Sequence, residues 1–223
     1  MGFVVAIDGP AGSGKGTVTK IVAERKNLVS IDTGAMYRCV ALYILRNNLD
    51  IENLKKIEEC LKNIRIDLKV VNNAKKVYLN GEDVTLEIRT EKVNKIVSPV
   101  SKIECVREKL TIEQRKMAEN QNVIMEGRDI GTIVFPNADV KIYLDATAEE
   151  RARRRYNQNI ENGINEGTYK EILESVQNRD YIDSHRKIAP LKKAKDAILV
   201  DSTNLSIEQV VEKIIELIEK KGF

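Results

Sequence analysis

Short apolar runs alternate along the chain with stretches whose apolar residues recur at three and four positions, so strands and helices are expected to alternate. Phe3–Ile7 reads as a strand, Lys15 to Arg25 as a helix, Leu28–Ile31 as a second strand, Ala35 to Asn47 as a helix and Ile51 to Lys62 as another. The period then changes. Ile64, Ile66, Leu68 and Val70 stand between charged residues, the mark of a half-buried strand. Asn72-Asn73 reads as a turn and Val77–Leu79 as a short strand, and Asn80-Gly81 is a strong hairpin signal. Residues 63–88 therefore read as a small antiparallel insert. Beyond it, Val100 to Glu119 is expected as one helix, with Ser101-x-x-Glu104 as its capping box. Val123–Met125 and Val140–Leu144 are short strands, Thr147-x-x-Glu150 caps a very basic helix, and Ala197–Val200 is the last strand. Ser206-x-x-Gln209 opens a C-terminal helix with Ile207, Val210, Val211, Ile214, Ile215 and Ile218 on one face. Five short strands alternating with helices predict an α/β fold of three layers, a five-stranded parallel sheet covered by helices on both faces.

Composition narrows the class. With 223 residues, 42% hydrophobic and 32% charged, the chain can bury a sizeable core and is neither disordered nor membrane-spanning in pattern. Its longest apolar runs, such as Phe3–Ile7, fall far short of the roughly 18 residues of a spanning helix. No secretory signal pattern is visible, so a cytoplasmic location is expected. Cys39, Cys60 and Cys105 are widely spaced without a CxxC, which fits buried thiols in a reducing compartment rather than a disulfide framework or zinc ribbon. His185 is the sole histidine, so no His-based metal cluster can form. A net charge of +3 and 4% aromatic residues without Trp weigh against a nucleic-acid partner.

The chemistry begins where the first strand ends. Asp8 is followed by Gly9-Pro10-Ala11-Gly12-Ser13-Gly14-Lys15-Gly16-Thr17, a GxxxxGK loop between a strand and a helix. Glycines let successive backbone N–H groups turn inward around a polyphosphate, the helix N-terminus adds its positive end, and Lys15 supplies a mobile charge. Gly16 stands where Ser or Thr usually ligates magnesium, and Thr17 follows one place later. No Asp has Gly three places on, and Asn94-Lys95-Ile96-Val97 lacks the Asp of a guanine-reading loop, which excludes a regulatory GTPase. A P-loop ATPase that powers motion would need a coupled partner domain.

A small-molecule kinase needs an acceptor site and a lid against water, and candidates for both are present. Asp32-Thr33-Gly34-Ala35-Met36-Tyr37-Arg38 and Glu126-Gly127-Arg128-Asp129-Ile130-Gly131-Thr132 follow strands, at the ends where open α/β sheets bind ligands. Arg179, Asp183 and Arg186 are spaced 4 and 3 and are expected on one helix face, as an acceptor grip or as a solvated salt-bridge ladder. From 151 to 195 there are 11 Lys or Arg against 6 Asp or Glu, either a solvated basic face or a lid folding over phosphates. Arg151, Arg154 and Arg155 can share a face while Arg153 points away. Asn157–Gly167 is expected as a flexible lid tip.

GKGT at this place resembles the nucleoside monophosphate kinases. DGPAGSGKGT, DTGAMYR, EGRDIGT, RDxxDSxR followed by Ile188-Ala189-Pro190-Leu191, and Asp201-Ser202-Thr203, in order over nearly the whole chain, resemble the bacterial cytidylate (CMP) kinases. That resemblance implies transfer of the γ-phosphate of ATP to CMP or dCMP, with Mg²⁺ bridging the phosphates and Thr17 as its possible protein contact, through water. It implies a monomer without nucleic-acid or membrane partners. Gly9 to Thr17 would hold ATP, with Asp201, Ser202 and Thr203 bordering its base, although those three also suit a plain capped turn. Lys15, Arg151, Arg154 and Arg155 would stabilise the transferring charge. On the acceptor side, the resemblance assigns Arg38, Arg128 and Arg186 to the CMP phosphate, which suits their planar forks. It assigns Ser98, Arg107 and Asp129 to cytosine, where a carboxylate accepts from the 4-amino group but opposes the 4-oxygen of uracil. Arg179 and Asp183 fall to the sugar, and Thr33 joins the CMP set. The implied layout is a single kinase domain with a core (1–34, 99–150, 190–223), a monophosphate-binding region containing the insert (35–98), and lid and acceptor helices (151–189). Two alternatives stay open: a kinase for another monophosphate or small metabolite, and a nucleic-acid-linked P-loop ATPase.

Overall fold

A computed structural model describes residues 2–71, 74–161 and 167–223. In chain order the elements are β1 (Val4–Asp8), α1 (Lys15–Lys26), β2 (Val29–Asp32), α2 (Thr33–Arg46), α3 (Leu54–Leu61), β3 (Ile66–Val71), β4 (Ala74–Leu79), β5 (Glu82–Asp83), α4 (Glu91–Val100), α5 (Glu104–Met117), β6 (Val123–Gly127), β7 (Val140–Asp145), α6 (Ala148–Glu161), α7 (Tyr169–Ser184), β8 (Ile198–Asp201) and α8 (Ile207–Glu219). They form two compact units, Met1–Ser30 with Ala118–Phe223, and Ile31–Met117.

The first unit is built on the expected five-stranded parallel sheet, ordered β2-β6-β1-β7-β8. Every residue of β1 and β6 is buried, which is why Val4–Ile7 and Val123–Met125 are unbroken apolar runs rather than alternating ones. Val5, Ile7, Ile142 and Leu144 of the sheet pack with Val18 and Val22 of α1 and Val210, Val211, Ile214 and Ile218 of α8. α8 opens with both halves of its capping box, Ser206 and Gln209 satisfying each other's backbone N–H. Ile207, expected on the apolar face, is instead exposed in the first turn. At α6 only half a box forms. Thr147 accepts from the Glu150 N–H, but the Glu150 carboxylate turns to Arg153 and Arg154, because two guanidinium partners outcompete one backbone donor. α6 stays helical to Glu161, so the first part of the expected lid tip, 157–161, is helix, and 162–166 lie outside the described residues.

The second unit surrounds its own apolar cluster, which joins Met36, Val40 and Ile44 of α2 to Ile57 of α3, Val97 of α4 and Leu110 of α5. Its antiparallel sheet β3-β4-β5 is the expected insert, with Ile66 opposite Leu79 and Leu68 opposite Val77. Asn80 (φ 52°) and Gly81 (φ 88°) make the hairpin turn, which requires positive φ at both positions. The turn expected at Asn72-Asn73 lies outside the described residues. The helix expected over 100–119 is two helices, and α4 begins well before it. Ser101 ends α4 rather than opening α5. Its hydroxyl donates to the Ser98 carbonyl at 2.8 Å, and the Lys102 and Ile103 N–H groups turn back to Pro99 and Val100 at 3.0 and 3.1 Å. Residues 99–117, expected in the core, pack in this unit as far as Met117.

Cys39 and Cys60 are buried and Cys105 half-buried, and none of the three forms a disulfide. Among the described residues, no helix is long and apolar enough to cross a membrane.

Candidate active site

In the first unit the loop after β1 forms a glycine cradle. Gly9 (φ 152°) passes so close to β7 that a Cβ would sit 2.0 Å from the Leu144 carbonyl oxygen, so only glycine fits. Gly12 (φ 81°) lets α6 approach: a Cβ there would lie 3.2 Å from that of Arg151. Lys15, the first residue of α1, folds back over the loop, its Nζ donating to the Pro10 carbonyl at 2.6 Å and the Ser13 hydroxyl at 3.3 Å. Burial depresses the Lys15 pKa well below the usual lysine range, and the nearby cations Arg128 and Arg179 add to that, while Glu126 and Asp8 oppose it.

Arg128 follows β6 and donates from Nε to Asp183 of α7 at 3.0 Å and from Nη1 to the Gly127 carbonyl at 3.2 Å. Burial raises the Asp183 pKa, but Arg128, Arg186 and Arg179 outweigh it and hold the carboxyl below its ordinary value. The expected single helix face 179–183–186 is corrected here. α7 ends at Ser184 with His185 as its cap, and the Leu191 N–H returns to the Asp183 carbonyl at 2.8 Å. Arg186 thus reaches Asp183 through a turn, its Nε donating to the Asp183 carbonyl at 3.2 Å. Asp129 is buried immediately after Arg128.

The arginines expected in a lid divide by face. Arg151 is buried, donating to the Ala146 and Ala11 carbonyls at 2.8 and 3.1 Å and pairing with Asp180 at 3.0 Å. Arg154 bonds the Ser202 hydroxyl at 3.1 Å and its carbonyl at 2.6 Å, and its Nη1 lies 3.9 Å from where a Gly14 Cβ would stand. Ser202 in turn donates to the Asp145 carbonyl at 2.9 Å and the Ser13 carbonyl at 3.4 Å, and Asp201 accepts from the Thr203 hydroxyl at 2.6 Å. The 201–203 turn therefore abuts the cradle. Arg155 is half-buried on α6, and Arg153 faces solvent on Glu150. Thr17 is exposed on the first turn of α1.

The second unit holds the remaining candidates. Thr33 is buried at the start of α2, which Asp32 caps by accepting the Ala35 N–H at 3.1 Å. Arg38 donates to Asn94 of α4 and to the Ile88 carbonyl. Arg107 donates to the Ser101 carbonyl at 3.0 Å and lies 5.4 Å from the Tyr37 ring centre, so Ser98 and Arg107 are each joined to Ser101 at the α4–α5 junction.

Two carboxylates stand in the quoted motifs without a role assigned by the sequence reading. Asp8 accepts the Ile130 and Gly131 N–H groups at 2.7 Å each, and burial pushes its pKa up to about 6. Glu126 ends 3.4 Å from a Cβ placed on Gly16. Their signal was a charged residue in the last two positions of a fully buried strand, which pattern reading takes as the strand's end.

A model of the family described as cytidylate kinase matches residues 5–220. The chain belongs to the cytidylate kinase family. It is 55% identical over 218 residues to a cytidylate kinase of Fusobacterium nucleatum, covering 98% of both chains. It is 46% identical over 218 residues to a cytidylate kinase of Bacillus subtilis, covering 98% of this chain and 97% of that one. At the level of fold alone, it resembles the solved structure of an uncharacterized protein from Eubacterium ventriosum, with a TM-score of 0.52 and 12% identity over 97% of this chain and 98% of that one. A Thermus thermophilus protein gives 0.50 and 16%, over 100% of this chain and 98% of that one. The cytidylate kinase motifs quoted above fall on the cradle, the start of α2, the segment after β6, α7 with the residues that follow it, and the 201–203 turn.

Proposed function

We propose that the chain transfers the γ-phosphate of ATP to CMP or dCMP, giving ADP and CDP or dCDP. The observation that carries this is the glycine cradle after β1, with Lys15 folded over it and Arg151 and Arg154 reaching it from α6. Cations gathered at such a loop attract anions, and the phosphates of two substrates are anions of that kind. Membership of the cytidylate kinases supports CMP as the acceptor.

Phosphoryl transfer needs positioning and charge stabilisation rather than a protein nucleophile. An oxygen of the CMP phosphate forms a bond to the γ-phosphorus, the bond to the β–γ bridging oxygen breaks, and its electron pair leaves on ADP. Lys15 exchanges its Pro10 carbonyl for the transferring phosphate. Arg151, Arg154 and Arg155 stabilise the developing charge. Arg38, Arg128 and Arg186 grip the acceptor phosphate, Ser98, Arg107 and Asp129 read the base, and Thr33, Arg179 and Asp183 complete the CMP set.

Among the described residues, no three His, Cys, Asp or Glu side chains gather as a metal cage. Mg²⁺ would arrive with the nucleotide and be held through water by the exposed Thr17 hydroxyl, where it would neutralise phosphate charge. The free thiols fit a cytoplasmic enzyme.

The test is ADP release from ATP·Mg²⁺ with CMP, dCMP, UMP, AMP, GMP or no acceptor. Turnover confined to CMP and dCMP is expected. Preference for another acceptor would void the base-reading residues, and equal turnover without acceptor would reopen the ATPase class.

A further inference from the structure

Asp8 is the last residue of β1, and the cradle begins at the next position. Its carboxylate reaches a segment 122 residues away, accepting the Ile130 N–H on one oxygen and the Gly131 N–H on the other, each at 2.7 Å. Those two donors open the π-helical turn Ile130–Val134 and directly follow Arg128 and Asp129. Gly131 is held from two sides: a Cβ there would lie 3.3 Å from both the second Asp8 oxygen and Cδ of Lys141. The base-reading segment is thus clamped between the residue that launches the cradle and a residue of β7.

We propose that Asp8 is a positioning residue, holding Arg128 and Asp129 in place for the acceptor through the Ile130 and Gly131 backbone. This rests on the acceptor roles given to those two residues above. A carboxyl that receives two N–H donors on its two oxygens is matched best when ionised. Protonated, one of its oxygens becomes a hydroxyl, a poorer acceptor, and one of the two bonds is weakened. Asn mimics that protonated state, because its amide nitrogen also faces a donor.

The surroundings make the switch accessible. Burial raises the Asp8 pKa, the two N–H groups pull it down, Asp129 raises it and Lys15 lowers it, for a net value of about 6. From β7, Tyr143 stays neutral, its pKa pushed up to about 12 chiefly by burial. Lys141 presents its stem to Gly131, while its ammonium is directed to Asp196 at 2.7 Å and to the Pro136 carbonyl.

The experiment is steady-state kinetics of the full-length wild type and Asp8→Asn between pH 5 and 8, varying CMP at saturating ATP·Mg²⁺ and then the converse. At pH 7.5, Asp8→Asn should raise KM for CMP on the order of tenfold, the loss of one buried hydrogen bond, with KM for ATP changed less than about twofold. The ratio of wild-type to Asp8→Asn kcat/KM for CMP should approach one near pH 5 and climb through about pH 6. Titration of the CMP phosphate, whose second pKa is also about 6, cancels in that ratio. A ratio that is flat with pH, or KM for ATP rising as much as KM for CMP, would overturn the proposal. Should Asp8→Asn fail to fold, Gly131→Ala presses on the same junction and leaves the carboxylate intact. It should raise KM for CMP selectively, and an unchanged KM would overturn the proposal. Absence of CMP turnover by the wild type at every pH would overturn the acceptor reading beneath it.

Discussion

Arg128 and Asp183 are locked together: Nε of the arginine donates to a carboxylate oxygen at 3.0 Å, and the Asp183 side chain is only 5% exposed. The carboxylate assigned to the sugar by resemblance thus also orients an arginine assigned to the phosphate. Removing one partner of a buried pair leaves a charge uncompensated. Asp183→Ala should therefore destabilise the fold by about 3–5 kcal/mol in chemical denaturation. The depressed carboxyl also sets a pH window. Its contribution is present above the ordinary value of 3.8 and is lost as pH falls through the lower folded value. The stability gap between wild type and Asp183→Asn should narrow as the medium is acidified below 3.8, and a constant gap would refute the pairing.

Lys15 donates to the Pro10 carbonyl, and the proposed function gives it the transferring phosphate instead. Lys15→Ala should lower kcat by about 10²–10³, as for loss of one charge-stabilising donor, with KM for CMP nearly unchanged. Equal loss in both constants would refute the division between donor and acceptor groups.

Asp129 is buried beside Arg128, where an unsatisfied contact is heavily penalised. Asp129→Asn should cut the preference for CMP over UMP by about tenfold or more, read as the ratio of kcat/KM values. An unchanged ratio would remove Asp129 from base recognition.

Arg151 ties α6 to the cradle and to α7, through Ala11 and Asp180. Asp180→Ala strands a buried guanidinium and should destabilise by about 3 kcal/mol, with KM for ATP rising. Arg154 is 30% exposed, so Arg154→Ala should destabilise less, by about 1 kcal/mol, while still raising KM for ATP through Ser202. The reverse order of stabilities would contradict the burial argument.

Asp8 carries a second signature, in stability. Its folded pKa of about 6 lies above the ordinary 3.8, so the folded state binds the extra proton between those values. The sign follows: stability from this group is fully present below 3.8 and is lost as pH rises through about 6. That amounts to about 3 kcal/mol, which Asp8→Asn cannot lose. The stability of Asp8→Asn relative to wild type should therefore climb by about that amount between pH 4 and 7 in urea titrations.

Much of the fold was legible in the chain. The run Val4–Ile7, the cradle residues and the helix behind them are contiguous, and local periodicity and glycine geometry determine them. The hairpin at Asn80-Gly81 was equally local. The α4–α5 break was not. Val93, Val97 and Val100 mark an apolar face of α4, but the polar residues between them concealed it, and Ser101 matched a cap at either end.

In the site, the sequence by itself determined which residue types are available: a phosphate cradle, arginines in sets, and carboxylates among them. Tertiary structure alone decided their partners. Asp8 meets Ile130 and Gly131, Arg128 meets Asp183, and Arg151 meets Asp180. None of these pairs shares a helix turn or a strand register. Each exists because the fold brings together residues that lie between 29 and 123 positions apart, and spacing along a sequence carries no record of where distant segments meet.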